Sequence, residues 1–391
     1  MELFQASSQW ATRPADQRFA TVSDLDAAVR RFRERAVERE IPWSALQVVA
    51  DAGTLKLQGS AGIPARLTHW AFGQLAQRAG APAGFLRALP PALARDCLAV
   101  TLPERINGDS ANLLLSRSNG DDSVTVHALL TERYSRIWDS EVTARLLRLE
   151  SEGWQVPPAR PVGGPDQPGA RQATERDCLR NSQVALRGLA IKPGDWIAPA
   201  GLYASDHDVF AFMVREDRVI DAGQGRALNR GFFVWNSEVG AASFGIMTFL
   251  YDAICGNHIV WGASDVKRVR VRHVGKARAT GLGAFVATLT EYSNASAGET
   301  EAVIKRARSY VLGPDKAKVL DAIMGKRIAG LTQGTVVKAY DTAERYALQE
   351  GDPNTVWGMV NGLTRVSQEQ PYAEDRVTVD RAAGKLLEVV F

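Results

Sequence analysis

Few residues in this chain have types and spacing suited to bond-making. Cys255-Gly-Asn-His258 puts a thiol near an imidazole, the pairing of a nucleophile with its base. Spacing supplies no third group to orient that imidazole, and Gly256 or Asn257 equally suits the left-handed end of a helix. Asp206-His-Asp208 is the better metal candidate, though a weak one: on a strand the two carboxylates share a face and His207 turns away. Such a pair can hold Mg²⁺ with water and phosphate oxygens, as in a metal-dependent nuclease, with Glu238 as a further acid. The same residues also suit a polar hairpin turn. There is no P-loop, HExxH or GxSxG motif, and the glycines of Gly223-Gln-Gly225 alone make no phosphate cradle. Nucleotide hydrolysis is not expected, and no cofactor is implied.

The stronger signal is for binding. Residues 265–278 read Asp-Val-Lys-Arg-Val-Arg-Val-Arg-His-Val-Gly-Lys-Ala-Arg. In an extended segment Arg268, Arg270 and Arg272 lie on one face and Val269 and Val271 on the other. A strand with one apolar and one cationic face suits the rim of a sheet that meets a polyanion. If Lys267, Arg268, Arg270, Arg272 and Lys276 all met phosphates of one strand, log affinity would fall against log salt with a slope of roughly −3.5. The alternative is a solvated edge strand whose charges block edge-to-edge aggregation. A second cluster, Arg133-Tyr-Ser-Arg136 with Trp138, interleaves guanidinium groups with rings on which bases can stack. Tyr134 and Trp138 equally suit the core of a turn. Asn236 stands in a third candidate contact, Asn236-Ser-Glu-Val-Gly240, where it or Ser237 can cap a following helix, or the free amides of that helix can meet a phosphate.

Total charge decides nothing here: 47 Lys and Arg stand against 44 Asp and Glu, a net of +3. Only local asymmetry over about one Debye length can matter. With 391 residues, 45% hydrophobic, the chain has material for one large core or two ordinary ones. The apolar stretch over 241–260 is interrupted by Tyr251, Asp252, Asn257 and His258, so no membrane span is expected. The opening residues lack the pattern of a secretory signal. Cys97, Cys178 and Cys255 are odd in number and far apart, which speaks against a disulfide framework and for a reducing cytoplasm.

These residues need elements to position them. A helix with apolar residues at Leu25, Val29, Phe32 and Val37 is predicted from Ser23 as N-cap, then two strands over 45–57 around Asp51-Ala-Gly53. Helical spacing from Thr68 stops at Gly80, shorter helices follow over 83–89 and 91–98, a strand pair is expected over 112–130, and a helix over 141–150. The Pro- and Gly-rich stretch 156–172 predicts an irregular surface excursion. Strands are expected over 183–186, 196–205 and 209–214, and a buried helix over 240–254. Helices follow over 282–292, 300–311, 316–324 and 335–350, and Trp357 and Asn361 share a helix face whose default use is packing. The fold class expected is α+β, with a mixed or antiparallel sheet and flanking helices in 1–278 and a mainly helical region over 279–391.

Three blocks carry a family resemblance: residues 127–136, His-Ala-Leu-Leu-Thr-Glu-Arg-Tyr-Ser-Arg; residues 235–240, Trp-Asn-Ser-Glu-Val-Gly, with 251–258, Tyr-Asp-Ala-Ile-Cys-Gly-Asn-His; and residues 354–364, Asn-Thr-Val-Trp-Gly-Met-Val-Asn-Gly-Leu-Thr. In order and spacing they resemble the phage and plasmid-like proteins grouped as domain-of-unknown-function family 932. The resemblance implies work on mobile DNA beside recombination and single-strand-binding functions, and it carries no settled activity. Where members of that family continue with a Glu-Tyr-Asp-His-like ending, this chain has Arg365-Val-Ser-Gln-Glu. The expectation is a non-enzymatic, homo-oligomeric protein that binds nucleic acid, single-stranded DNA above all, without a membrane. The alternatives are a metal-dependent nuclease and a phage structural or host-interaction protein.

Overall fold

A computed structural model describes residues 17–19, 21–59, 64–105, 110–118, 123–156, 160–161, 163–165, 170–175, 178, 191–198, 201–223, 226–252, 257–259, 268–347, 351–368 and 373–390. Helix α1, Val22–Arg35, buries Val22, Leu25 and Val29. Its cap is Thr21, whose hydroxyl accepts the Asp24 N–H at 3.0 Å, two residues ahead of the expected Ser23. A first sheet follows, built from β1 (Ala36–Pro42), β2 (Leu46–Asp51), β3 (Thr54–Gly59), β4 (Ala65–Leu67), β5 (Ser110–Arg117) and β6 (Val124–Thr131). Among the described residues its order is β1-β5-β6-β4-β3-β2, antiparallel except where β4 meets β6. The β2–β3 turn falls at the expected Ala52-Gly53, with φ of 47° and 75°, the left-handed pair a tight hairpin demands.

One face of this sheet packs on α2 (His69–Arg78), α3 (Ala83–Ala88) and α4 (Pro91–Arg105) through Ala71, Phe72, Leu75, Leu86 and Leu98. Thr68 caps α2, accepting the Ala71 N–H, and Gly80 leaves the helix with φ +67°, so the helix runs between the bounds that the sequence predicts. Helix α5, Asp139–Ser151, follows β6.

The second sheet joins β7 (Trp154–Gln155), β11 (Leu202–Ala204), β12 (Val209–Gly223), β13 (Arg226–Asn236), β14 (Phe244–Asp252), β15 (Asn257–Ile259) and β16 (Arg268–Val271). Its long central strands are antiparallel, and both β15 and β16 pair with β14, at opposite ends. The helix expected over 240–254 is strand β14 instead. Phe244, Ile246 and Leu250 are buried on one side of it and Met247 and Phe249 on the other, so both faces are apolar. A strand covered on both sides reads as a continuous apolar run, which periodicity alone does not separate from a buried helix. Gly245 gives the decisive local reason for its small residue: a Cβ there would lie 2.0 Å from the Trp235 ring of β13.

Val22, Leu146, Met213, Phe232, Ile246 and Phe285 represent the core where α1, α5 and α6 (Ala277–Asn294) meet the second sheet. The Pro- and Gly-rich stretch contributes β8 (Arg160–Pro161) and β9 (Arg171–Gln172), which flank β10 (Trp196–Ala198) in a small sheet, and the strand expected over 183–186 lies outside the described residues. The helical C-terminal region continues with α7 (Ala297–Ser309), α8 (Lys316–Gly325), α9 (Gln333–Arg345), α10 (Val356–Gln368) and α11 (Ala373–Val390). These helices share a core with Ile220, Leu228 and Leu250 of the second sheet. Trp357 and Asn361 are both buried in α10, and Gly362 lets α10 approach α9, where a Cβ would lie 2.3 Å from the Ala339 carbonyl oxygen. The fold is α+β with a helical C-terminal region. Among the described residues no helix is long and apolar enough to cross a membrane.

Candidate nucleic-acid interface and polar cavity

The basic segment is a strand, as its alternation predicts. β16 pairs with β14 through Val271↔Phe244 and Arg270↔Gly245, and among the described residues no strand pairs with its other side. Val271 packs against the core, while Arg270 and Arg272 are exposed. The Arg270 guanidinium Nε donates to the Ser243 hydroxyl at 2.8 Å. Beyond the strand His273 is buried, and Val274, Lys276 and Arg278 are exposed. Arg278 pairs with Glu141 at 2.7 Å, which neutralises it. Lys267 lies outside the described residues, and Arg268 is placed by its backbone pairing with Met247.

The structure brings the second basic cluster to the same edge. Tyr134 forms an isolated bridge with Val274, and the Ser135 N–H donates to the His273 carbonyl at 2.9 Å. The Tyr134 ring stacks on His273 with centroids 5.0 Å apart. Exposed Arg133 therefore stands beside the run from Arg272 to Lys276, with exposed Glu132 as an acidic neighbour.

Three of the expected contacts point inward instead. The Tyr134 hydroxyl donates to the Ser237 carbonyl at 2.8 Å, and burial pushes its pKa up. Arg136, 5% exposed, donates from Nε to the Glu238 carbonyl at 2.9 Å and from its terminal nitrogens to Glu38 and Asn112. Asn236 is fully buried and donates to the Ile137 carbonyl at 2.8 Å and to Asp139 Oδ1 at 2.7 Å. These donors are committed to protein acceptors, so the placement of Tyr134, Arg136 and Asn236 among the nucleic-acid contacts is corrected: their polar groups build the interior.

What they build is a grip on the β13–β14 turn. Ser237, Glu238 and Val239 offer three successive carbonyls, held in turn by Tyr134, by Arg136, and by both Trp70 Nε1 at 2.9 Å and Gln74 Nε2 at 2.8 Å. Gln74 also accepts the Leu129 N–H at 2.8 Å, which ties α2, β6 and the turn together. The Ser237 hydroxyl donates to the His207 carbonyl and accepts the Ala241 N–H, closing the turn where a helix cap was expected. Glu238 Oε1 accepts the Asp139 N–H at 2.6 Å, at the start of α5.

Between α1, the β11–β12 hairpin and this turn lies a cavity of about 460 Å³. Phe19, Val29, Phe32 and Val239 give it an apolar side, and Asp139, Glu238, His127, Asp206 and His207 a polar one. Asp139 is 7% exposed and Glu238 5%. Burial, with a smaller contribution from the Asp208 charge and against the Asn236 hydrogen bond, pushes the Asp139 carboxyl up to about 7. Burial and then the neighbouring Asp139 raise Glu238 well above the ordinary carboxylate range. Burial lowers His127 and His273 to about 4, so both imidazoles are neutral near pH 7. His127 Nε2 shares a 2.7 Å hydrogen bond with the Ser116 hydroxyl, while its buried Nδ1 has no partner among the described residues.

The candidate metal pair is not brought together as drawn from a strand. Asp206 and Asp208 sit in the β11–β12 turn, closed by Ser205 N–H to Asp208 carbonyl at 2.9 Å. Asp206 takes His207 Nδ1 at 2.6 Å and Asp208 takes the Ser205 hydroxyl at 2.7 Å. Among the described residues no group of three His, Cys, Asp or Glu is arranged to hold a metal ion. Cys255 lies outside the described residues. Sequence reasoning missed Asp139 and His127 as members of one site. Asp139 reads as an ordinary acid in a helix's first turn, and no spacing rule links it to residues 99 positions away.

A protein-family model described as a domain of unknown function, DUF932, matches residues 179–383, more than half of the 391 residues. The chain belongs to the DUF932 family. The matched span holds the β11–β12 turn, the 235–240 turn, the basic strand and most of the C-terminal helices; the first sheet and Asp139 precede it. No curated protein and no solved structure matches the chain.

Proposed function

We propose that this DUF932 protein binds nucleic acid, single-stranded DNA above all, along β16 and the segment that follows it. It does so without bond-breaking chemistry, as a homo-oligomer, in a recombination- or replication-associated role on mobile elements such as phages and plasmids. The observation that carries the reading is the backbone pairing of 134–135 with 273–274, which adds Arg133 to Arg270, Arg272 and Lys276 on one exposed edge. Alternate residues of a strand stand about 6.6 Å apart, a spacing suited to successive phosphates of an extended strand. A linear row of cations tracks the backbone of one extended strand, whereas duplex readout seats an element in a groove, which favours single strands over duplexes.

Binding of a fluorescent single-stranded oligonucleotide across a salt series tests it. Four phosphate contacts give a slope of log affinity against log salt of roughly −2.8. Arg133→Ala and Arg272→Ala should each flatten it by about 0.7, and a duplex of the same sequence should compete weakly. Absent binding at low salt, or a slope indifferent to both substitutions, would sink the reading.

A further inference from the structure

We propose that the cavity between α1, the β11–β12 hairpin and the 237–243 turn is a binding site for a small organic cation, an amine or amidinium carried on an apolar body. The inference is independent of the nucleic-acid reading, since none of Arg133, Arg270, Arg272 and Lys276 lines the cavity.

Four observations select this chemistry. The cavity, about 460 Å³, has room for a drug-sized molecule. Its charged lining is carboxylate: Asp139 and Glu238, both more than nine-tenths buried, with Asp206 toward solvent. Glu238 accepts one hydrogen bond, from the Asp139 backbone, and the Asp139 carboxylate accepts one, from Asn236. The two buried carboxyl groups thus keep acceptor capacity that no cation among the described residues fills. The opposite side is apolar and aromatic, with Phe19, Phe32 and Val29 placed to cover a ring or short aliphatic chain. An anion would meet the Asp206 carboxylate and the charge shared by Asp139 and Glu238, and a neutral apolar guest would strip these groups of water without replacing it. A bare metal ion has no set of ligands among the described residues.

The surrounding charges leave this polarity intact. Arg136 and Arg33 lie on the Glu238 side, but Arg136 spends its donors on the Glu238 carbonyl, Glu38 and Asn112, and Arg33 lies 3.8 Å over the Trp138 ring. Asp208 faces Asp139 and adds a negative charge. Arg35 and Asp206 face His127, which is neutral and whose buried Nδ1 has no partner among the described residues. Asp206 is offset by its bond to His207.

Calorimetric titration with benzamidine, and with neutral benzamide of nearly the same shape, is the test. The expected result is saturable binding of benzamidine with at least about tenfold preference over benzamide, since the amidinium makes charge-assisted bonds the amide cannot. Because the carboxyl pair holds a proton near neutrality, cation binding expels it. The heat should therefore differ between phosphate and Tris buffers at pH 7. Glu238→Gln should cost about tenfold in affinity, and Asp206→Asn, at a half-exposed position whose change spares the core, about threefold. No saturable heat from benzamidine, equal affinity for benzamide, or affinity unchanged in a folded Asp206→Asn protein would overturn the proposal. A buffer-independent heat would overturn its assignment to Asp139 and Glu238.

Discussion

Arg133 and Arg136 stand three residues apart and show two uses of one side chain. Arg133 is exposed on the cationic edge, where its charge adds to a field that salt screens. Arg136 is 5% exposed, its guanidinium divided among Glu38, Asn112 and the Glu238 carbonyl. Burial lowers its pKa to about 10, which still leaves it charged near neutrality. On the edge, charge is available and contributes little to the fold; in the interior it is spent on position. The difference separates a surface that can meet a partner from the framework that shapes the cavity, and each can be tested without the other.

The largest separation should come from stability. Arg136→Ala removes three hydrogen bonds and strands the Glu238 carbonyl inside the protein, which should cost about 3 kcal/mol, the lower end for a broken buried pair because Glu38 is partly solvated. Arg133→Ala should stay within about 0.5 kcal/mol. Urea unfolding at constant m measures both. Equal effects for the two would erase the distinction.

The next effect lies in pH. The Asp139 carboxyl titrates near 7 in the folded protein against 3.8 ordinarily. Between those values the native state holds a proton that the unfolded chain has lost, so this group's stability is whole below pH 4 and declines as pH rises to 7. The slope is at most about 1.4 kcal/mol per pH unit. His127 and His273 act in the opposite sense, since they titrate near 4 when folded and 6.5 ordinarily, and they favour folding increasingly as pH rises between those values. Asp139→Asn keeps the acceptor that Asn236 uses, so the difference between variant and wild type isolates the carboxyl. Its stability relative to wild type should climb from pH 4 to 7; a flat difference would mean that the cavity's carboxyl pair is not desolvated.

The two regions also differ in how far the sequence revealed them. The ribbon is a local pattern, Arg-Val-Arg-Val-Arg-His, and period-two alternation is what a strand with one solvated face must show. The bounds of α2 at Thr68 and Gly80, the Ala52-Gly53 turn and the helices from α6 to α9 are legible for the same reason, because each depends on neighbours in the chain. The cavity depends on pairings across long separations: Arg136 with Glu38 is 98 residues, Trp70 with Val239 is 169. Nothing in Asp139 or His127 announces such partners. The mistaken helix over 240–254 has a physical cause as well, since β14 is apolar on both faces and its turn residues, Asn236-Ser-Glu, are also good caps. Arg136 and Tyr134 read as surface contacts because type and spacing do not encode burial.

The smallest effect is also the most specific to the edge. Arg270, Arg272, Lys276 and Arg133 gather like charge on one rim, and such a patch repels itself. Taking Lys276, whose side chain makes no cap hydrogen bond to α6, to Ala should leave stability unchanged or raise it by a few tenths of a kcal/mol at about 0.01 M salt, where the Debye length is about 30 Å. At about 1 M salt, where it is about 3 Å, the gain should vanish. The same substitution should weaken oligonucleotide binding most at low salt, so stability and affinity move in opposite directions. Were the charges there to fasten the strand, through ion pairs or by keeping the edge from aggregating, the variant would lose stability or associate at low salt instead. The opposed pair of responses is what a rim kept for an anionic partner must show, and a buried guanidinium such as Arg136 cannot produce it, because its loss weakens the fold at every salt concentration.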